Sequence, residues 1–446
     1  RSRPARFREF VVVEFGGERR RHMAMGEART GDETRQIEMV ALDDLVPPDD
    51  LYRRVEPHLC CGAIRASAAP FYGEGGRPSV CPAVLVKLFL VAALEGLGSM
   101  RATLERAERD LAIRRFLGFG LGERMPHHAT VSFAQCVRFA DSSVFEQLFT
   151  QVLARCREAG LLDGTRLIVD ATHVEADAAL KSLRADLRAV EAGEAEGEVE
   201  PPPGAGAERP PSLETSPEAP ALSLAAPRSG PTPKRRASNQ TVVSGTDRDA
   251  RLRHKPGHRP HLVHRAQVAT DPKARVIVAV CAEAATGHEA GSLQALRQRA
   301  RWGGNRATEL CADQGYAAKA VYQELEAKGV TAFIPPLPSM RHTPQGQAAR
   351  RRCKSPEGVA ATVDRMTHGE GAIAELKLRH ALGRARCRGT PKLQVQLLVG
   401  ATAVNLKRLA HRLPAAGECL AANSGSPTRR DLPAHARTWT YEICLN

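Results

Sequence analysis

The chain has 446 residues and a formal net charge of +14, because 64 lysines and arginines outnumber 50 aspartates and glutamates. Its 42% hydrophobic content fits a soluble globular protein, and a chain of this length can bury the cores of two or three domains. Aromatic residues make up only 4%, which argues against base stacking as the main mode of nucleic-acid contact. The basic excess favours a polyanionic partner, with a solvated basic surface as the alternative.

Cysteine usage and the apolar segments predict a cytoplasmic protein without a membrane span. The 11 cysteines include no CxxC pair and no Cys/His zinc spacing, so reduced thiols are expected. The longest apolar stretch, residues 84–94, is interrupted by Lys87 and is too short to cross a bilayer. Residues 1–39 are expected to form a basic, disordered leader that lacks a signal-peptide pattern, and a natural start is expected at Met23, Met25 or Met39.

Residues 40–160 have the pattern of an all-α domain. Helices are predicted over residues 82–95, 99–111 and 144–159. Pro82 suits the first turn of the first helix, Ser99 suits the N-cap of the second, and Gly160 suits the end of the third. A compact helical domain is therefore expected ahead of the rest of the chain.

Residues 161–413 alternate between strand and helix patterns, interrupted by a Pro/Ser/Ala-rich insertion, residues 193–239, that is expected to be disordered. Two strands, 260–270 and 274–283, are joined by a turn at Asp271-Pro-Lys273. The later elements are predicted as helix 288–301, a strand ending at Asp313, helix 317–328, strand 331–335, helix 370–380 and helix 392–413. This order predicts a ribonuclease-H-like α/β catalytic domain, followed by a loose tail over residues 414–446.

Two aspartates follow apolar strand patterns. Asp170 ends the run Arg166-Leu-Ile-Val-Asp170, and Asp313 ends Glu309-Leu-Cys-Ala-Asp313. Carboxylates at the ends of adjacent strands meet at the rim of a sheet and suit Mg²⁺, which prefers carboxylate oxygens. Each aspartate alone could instead cap a turn or a helix. Glu175 is an alternative ligand close to Asp170.

A third acid, Glu370, lies in a predicted helix seven residues before Lys377. Two helical turns span about 7.2 residues, so this helix can offer a metal ligand and a cation on one face, whereas Glu375 faces elsewhere. The segment beyond Glu370 is expected to line a DNA path with basic side chains at Lys377, Arg379, Arg384, Arg386 and Arg388. A solvated face is the alternative for such a run of charge.

The chain resembles bacterial DDE-type insertion-sequence transposases with an InsH-like N-terminal domain, over residues 40–413. The motifs that carry the resemblance are Asp170-Ala-Thr172-His-Val-Glu-Ala176, Thr246-Asp247-Arg-Asp249, Ala312-Asp313-Gln-Gly315-Tyr316, the segment from Glu370 to Lys377, and Val404-Asn405-Leu-Lys407-Arg408. The resemblance implies that Asp170, Asp313 and Glu370 are the catalytic residues and hold two Mg²⁺ ions, for which Mn²⁺ substitutes.

The same resemblance implies strand cleavage and strand transfer at the terminal inverted repeats of an insertion sequence. The implied partners are double-stranded DNA carrying those repeats, target DNA, and further copies of the chain assembled as a homo-oligomer on the DNA. The implied location is the bacterial cytoplasm, on the nucleoid when the protein is bound to DNA. Deletion of residues 193–239 is expected to leave metal-dependent cleavage intact.

Several positions depart from the pattern of these transposases, among them the segment Pro126-His127-His128-Ala-Thr130, where Pro-Asp-His-Ser-Thr is frequent. The arginine that usually stands four residues before the glutamate is replaced by Met366, with Arg365 one place earlier. Val363 stands where a tyrosine is frequent, and Gln314 replaces a frequent lysine. Two other functions fit the same chain: a nuclease of the same fold that cuts without strand transfer, and a non-catalytic DNA-binding remnant that represses its own element.

Overall fold

The computed structural model describes residues 39–412, apart from 74, 76–78, 140–141, 186–241, 255–256, 258, 287–288 and 303. The predicted leader, except Met39, and the predicted insertion and tail lie outside the described residues. The described residues up to Leu45 belong to a different unit from those beginning at Val46, so the short helix α1, Leu42–Leu45, is described by itself. No helix within the described ranges is long and apolar enough to cross a membrane.

The first part of the second unit is helical, as the sequence predicts. Its helices are α2 (Leu51–Val55), α3 (Cys61–Ala68), α4 (Pro82–Leu94), α5 (Met100–Arg109), α6 (Leu111–Leu117), α7 (His128–Phe133) and α8 (Val144–Glu158). Pro82 begins α4, and the Ser99 hydroxyl caps α5 by accepting a hydrogen bond from the Ala102 N–H. Gly160 follows α8 with a φ of 67°, a left-handed conformation that glycine adopts without a steric penalty.

The single helix predicted over residues 99–111 is wrong at its C-terminal end. Asp110 has an extended backbone, with φ −107° and ψ 118°, and its side chain accepts a hydrogen bond from the Ile113 N–H. Asp110 therefore ends α5 and caps α6, since an aspartate at this position satisfies an amide that the first helical turn leaves unpaired.

The second part of the chain is built on a six-stranded sheet. Its strands are β1 (Arg166–Glu175), β4 (Arg251–Arg253), β5 (His261–Asp271), β6 (Val276–Ala284), β7 (Glu309–Ala312) and β8 (Thr331–Phe333), whereas β2 (Leu183–Ala185) and β3 (Val242–Ser244) form a separate pair. The order is β6-β5-β1-β7-β8, with β4 beside the start of β5. Strand β5 runs antiparallel to both of its neighbours, β1 and β6, and β7 and β8 run parallel to β1. The mixed α/β prediction is thus confirmed.

Among the described residues of this part, six helices accompany the sheet. They are α9 (Leu293–Trp302), α10 (Lys319–Ala327), α11 (Pro344–Lys354), α12 (Pro356–Asp364), α13 (Glu370–Arg379) and α14 (Thr390–Arg412). Helices α11 and α12 were not predicted, although each starts with a hydroxyl residue followed by proline, and Thr343 and Ser355 cap them through their side chains. A five-residue π-helix, Arg365–Gly369, lies between α12 and α13.

The last helix, α14, packs against strand β6 and against the N-terminal helices α4 and α8. Its buried Asn405 accepts a hydrogen bond from the Ile277 N–H at 2.9 Å and donates one to the Ile277 carbonyl at 2.8 Å. The side chain thereby satisfies backbone groups of β6 as a neighbouring strand would, and burial of its own polar amide is compensated.

The nine cysteines among the described residues are free thiols. Two of them meet across the fold: the sulfur atoms of Cys136, in a π-helix after α7, and Cys387, just before α14, lie 2.8 Å apart. The pKa of Cys136 is lowered to about 7 by its hydrogen bond with Cys387, whose own pKa is raised.

Candidate active site

Asp170 lies in the middle of β1, so the prediction that it ends its strand is wrong. Antiparallel pairing with β5 continues from Ile168 to Glu175 and extends β1 beyond the end of β7. The parallel pairing with β7 stops at Val169, which lies opposite Ala312. Asp170 is therefore the first β1 residue past the end of β7. It is buried, and its Oδ1 accepts a hydrogen bond from the Ala171 N–H at 2.9 Å.

Asp313 is the residue that follows β7, and the strand register places it beside Asp170. Its Oδ1 accepts a hydrogen bond from the Gly315 N–H at 3.0 Å and caps a short 3-10 helix, Gln314–Tyr316. Asp313 therefore does act as a helix cap, the alternative role, but capping occupies only one oxygen of its carboxylate. The second oxygen is left to interact with other groups.

Glu370 is the first residue of α13, and the π-helix before it sets its position. Gly369 allows that π-helix to approach β1 closely: a Cβ atom there would lie 2.8 Å from Ile168 Cγ2 and 3.8 Å from Asp170 Cβ. A larger residue at position 369 would push the start of α13 off the strand. This close approach brings Glu370 to the same edge as Asp170.

Arg365 connects two of the three acids. Its Nη1 lies 3.6 Å from Asp170 Oδ2, and its Nη2 lies 3.3 Å from Glu370 Oε1. The guanidinium thus occupies the place of a bridging cation between the two carboxylates. The sequence showed Arg365 only as an arginine displaced by one position from its usual place, so its contacts could not be inferred.

The electrostatics show that the acids act on one another. The pKa of Asp170 is raised to about 6: burial is the main cause, the charges of Asp313 and Glu370 add to it, and the Ala171 amide and Arg365 oppose it. Among the described residues, no three His, Cys, Asp or Glu side chains are close enough to hold one metal ion in this arrangement. The acids are therefore gathered at one edge, with an arginine between two of them.

A fourth acid, Glu289, was missed by the sequence interpretation. It begins a 3-10 helix, Glu289–Ser292, ahead of α9. Burial raises the pKa of Glu289, and the negative charges of Asp313 and Asp170 raise it further, while Arg265 opposes the shift. No strand-end or spacing signal marks Glu289 in the sequence, because it reaches the site through the packing of one 3-10 helix on another.

The competing acids have structural partners. Glu175 is exposed at the end of β1, and its backbone pairs with Gly383 and Ala385. Glu375 lies beside Lys407, Arg408 and the buried His380, on the side of α13 that faces α14. Burial alone would raise the pKa of Glu375, but these three neighbours lower it to about 2. Glu375 does face elsewhere, as the helical spacing predicts.

The basic residues beyond Glu370 fall into two groups. Lys377 and Arg384 line a cleft of about 450 Å³, Arg379 is exposed, and Arg384 and Arg388 are exposed and pair with Asp177 at 3.3 and 3.6 Å. Arg386 lines the same cleft but differs, because it is half-buried and donates a hydrogen bond to the Leu97 carbonyl at 2.7 Å. The DNA contact at Arg386 stays a prediction, although its guanidinium already has a partner in the protein.

Two protein-family models match the chain. A transposase domain, DUF772, matches residues 40–135, and a transposase DDE domain matches residues 339–410. These matches confirm the resemblance to DDE-type transposases. The second covers Glu370 and the basic segment after it, whereas Asp170 and Asp313 lie outside both.

The other comparisons add little. None of the curated proteins matches the chain significantly. Among solved structures, a pre-cleavage Mos1 transpososome is similar with 10% sequence identity and a TM-score of 0.18, over 76% of this chain and 81% of that one. A TM-score this low supports no argument about the fold.

Proposed function

We propose that the protein is a DNA transposase that cleaves and joins DNA strands with divalent metal ions. The observation that carries the proposal is the proximity of three acids. Asp170 in β1 lies beside Asp313, which directly follows the parallel neighbouring strand β7, and Glu370 is close to them. One transposase family match, residues 40–135, precedes β1, and the other, residues 339–410, includes Glu370. The strand order β6-β5-β1-β7-β8, with three antiparallel strands followed by two parallel ones, supports a ribonuclease-H-like class for the catalytic domain.

The residues at this edge fit Mg²⁺ in chemistry. They offer carboxylate oxygens, the donors that Mg²⁺ prefers, and a cationic guanidinium already stands between Asp170 and Glu370. Asp170, Asp313 and Glu370 would hold the metal, and a pair of such ions supplies an activated oxygen nucleophile and stabilises a leaving oxygen in phosphodiester cleavage. Because Arg365 occupies the space between two of the ligands, it must move when those two carboxylates bind a metal ion.

The chain's own cations would position the DNA. Lys377 lies on α13 with Glu370, and Arg253 on β4 is near enough to help lower the pKa of Lys377, although burial is the larger cause. Arg379, Arg384 and Arg388 are exposed on the same segment of chain. Guanidinium groups suit phosphate oxygens because they donate two hydrogen bonds in one plane. DNA with terminal inverted repeats, target DNA and a homo-oligomer on the DNA are the proposed partners.

The proposal is tested with a labelled duplex that carries the terminal inverted repeats next to the gene, incubated with Mg²⁺ or Mn²⁺ and a target plasmid. We expect nicks at the repeat boundary and joined donor–target products from the wild type, and neither from Asp170→Ala, Asp313→Ala or Glu370→Ala. Glu326→Gln, an exposed acid on α10, is the matched control and should behave as the wild type.

The same experiment separates the alternatives. Cleavage without joined donor–target products would show that the protein is a nuclease of the same fold and not a transposase. Binding to the repeats by a folded wild-type protein without metal-dependent cleavage would identify a DNA-binding remnant. Cleavage that survives all three substitutions would remove the assigned acids from the mechanism.

A further inference from the structure

The carboxylate of Glu289 lies against the turn that holds Asp313. A Cβ atom added to Gly315 would be 2.1 Å from Glu289 Oε2 and 3.2 Å from Asp313 Oδ1. Two carboxylate oxygens from distant parts of the chain therefore lie within 3.2 Å of the same point. Glycine is required at position 315 for this close approach, since any side chain would displace Glu289.

The position of Glu289 is fixed by a buried glutamine. Gln267, on β5 and fully buried, donates hydrogen bonds to the Glu283 carboxylate at 2.8 Å and to the Ser292 hydroxyl, and its amide lies 3.4 Å from the Glu289 carbonyl oxygen. Its neighbour across the sheet is Ala171, the residue after Asp170. The 3-10 helix that carries Glu289 is thus tied to the strand pair at the centre of the site.

Tyr316 provides an independent indication of a ligand. Its ring is fully buried, and within the described part of the chain its hydroxyl has no hydrogen-bond partner. Burial raises the pKa of Tyr316 well above its ordinary value, and among the neighbouring charges Glu289 adds most to this shift, ahead of Asp170 and Asp313. A buried hydroxyl normally has a partner, so this one marks a place where a bound group belongs.

We propose that Glu289 is a fourth carboxylate of the metal site and shares a divalent cation with Asp313, while the Tyr316 hydroxyl donates a hydrogen bond to the water shell of that cation. The inference rests on the proposed function, because it adds a ligand to the same site. Mg²⁺ keeps several waters and is held by one or two carboxylates, so a pair of acids suffices for one ion.

The test is a calorimetric titration of the full-length protein with Mn²⁺, which does not depend on activity. Glu289→Gln should weaken Mn²⁺ binding on the order of tenfold or more, since even outer-sphere groups contribute that much to metal affinity. Glu289→Asp should keep part of the affinity, and Glu326→Gln should leave it unchanged. If Glu289→Gln binds Mn²⁺ as the wild type does, the inference is overturned.

A second variant guards against misfolding of the first. Gly315→Ala should displace the Glu289 carboxylate and weaken Mn²⁺ binding in the wild type, but add little when combined with Glu289→Gln. Equal and additive effects in both backgrounds would overturn the inference. If the wild type cleaves DNA while Glu289→Gln binds Mn²⁺ and cleaves normally, only this inference fails. If the wild type neither binds Mn²⁺ nor cleaves, the proposed function fails as well.

Discussion

Nη2 of Arg365 lies 3.3 Å from Oε1 of Glu370, although five positions separate the two residues. In an α-helix, residues five apart point in different directions, but here a π-helix spans Arg365–Gly369 and the Glu370 N–H donates to the Arg365 carbonyl. The extra residue in the turn restores the contact. Arg365 stands one position earlier in the sequence than the usual arginine, and the π-helix brings it back into contact with Glu370.

Arg365 should compete with metal ions for the acidic site. Arg365→Gln removes the bridging charge and leaves the buried Asp170 carboxylate without its cationic partner, so the metal-free protein should lose roughly 1–3 kcal/mol of unfolding free energy. Added Mn²⁺ should then raise the melting temperature more in the variant than in the wild type. Arg365→Lys, which keeps the charge, is the control. Equal stabilisation of all three proteins by Mn²⁺ would show that Arg365 does not stand in for a cation.

Glu375 should make stability depend on acidity. Its folded pKa, about 2, is below the ordinary value of 4.5, so its contribution is present above about pH 4.5 and is lost as the pH falls towards 2. Glu375→Gln should cost roughly 2 kcal/mol at pH 7, and the difference from the wild type should narrow below pH 4.5. Urea unfolding at pH 7, 4.5 and 3 measures this, with Glu326→Gln as control. A difference that stays constant across these pH values would contradict the assigned contacts.

Cys136 and Cys387 should form a disulfide on mild oxidation. Hydrogen peroxide would accept two electrons and two protons from the thiols, leaving one sulfur–sulfur bond and two waters. The lowered pKa of Cys136 raises its thiolate fraction at neutral pH, which favours the reaction. Peptide mass mapping without reductant should show the 136–387 cross-link in the wild type and its absence in Cys136→Ser. Cys156→Ser, at a buried cysteine, is the control, and a wild type in which peroxide produces no 136–387 cross-link would refute the pairing.

The two groups of arginines should respond differently in DNA binding. Replacing the exposed Arg384 and Arg388 together by glutamine should weaken binding to any duplex and make its logarithmic salt dependence shallower by about 2, one for each lost phosphate contact. Arg386→Gln should leave that slope unchanged and lower stability instead, because its guanidinium serves the Leu97 carbonyl. Salt titrations by fluorescence anisotropy decide between these outcomes. A shallower salt dependence in Arg386→Gln would show that Arg386 contacts the DNA.

Asp177 pairs with both exposed arginines, so it offers a reciprocal test. Asp177→Asn should release the two guanidinium groups and strengthen DNA binding at low salt. The ion pairs are exposed and worth little by themselves, so stability should hardly change. Weaker binding in this variant would mean that the Asp177 pairs orient the arginines for DNA.

The elements that could be predicted from the sequence are those with strong local signals. Pro82, Ser99 and Gly160 mark helix boundaries that the structure keeps. The hairpin of β5 and β6 follows from two apolar strands around a short turn. The helix break at Asp110 was missed because the sequence pattern continues through it. The packing of α5 and α6 as separate helices is decided by tertiary contacts.

At the candidate site, the three carboxylates could be named from the sequence, but the groups that contact them could not. Asp170 and Asp313 were found through the strands before them, yet the length of β1 depends on its antiparallel partner β5. Glu289 and Arg365 reach the site through a 3-10 helix of four residues and a π-helix of five, which are too short to show a hydrophobic period. Their positions are set by packing between segments far apart in the chain, which a local pattern does not encode.

Helix α14 has a consequence for how the chain is made. It supplies the surface against which α4, α8 and β6 bury apolar side chains, and Asn405 satisfies the backbone of β6. The ribosome delivers α14 after all of these elements, so the nascent chain must wait, with apolar faces exposed, until translation reaches residue 412. We expect products that stop earlier to be bound by chaperones and degraded. A frameshifted copy of the gene would then be silenced by proteolysis rather than persist as a shortened DNA-binding competitor.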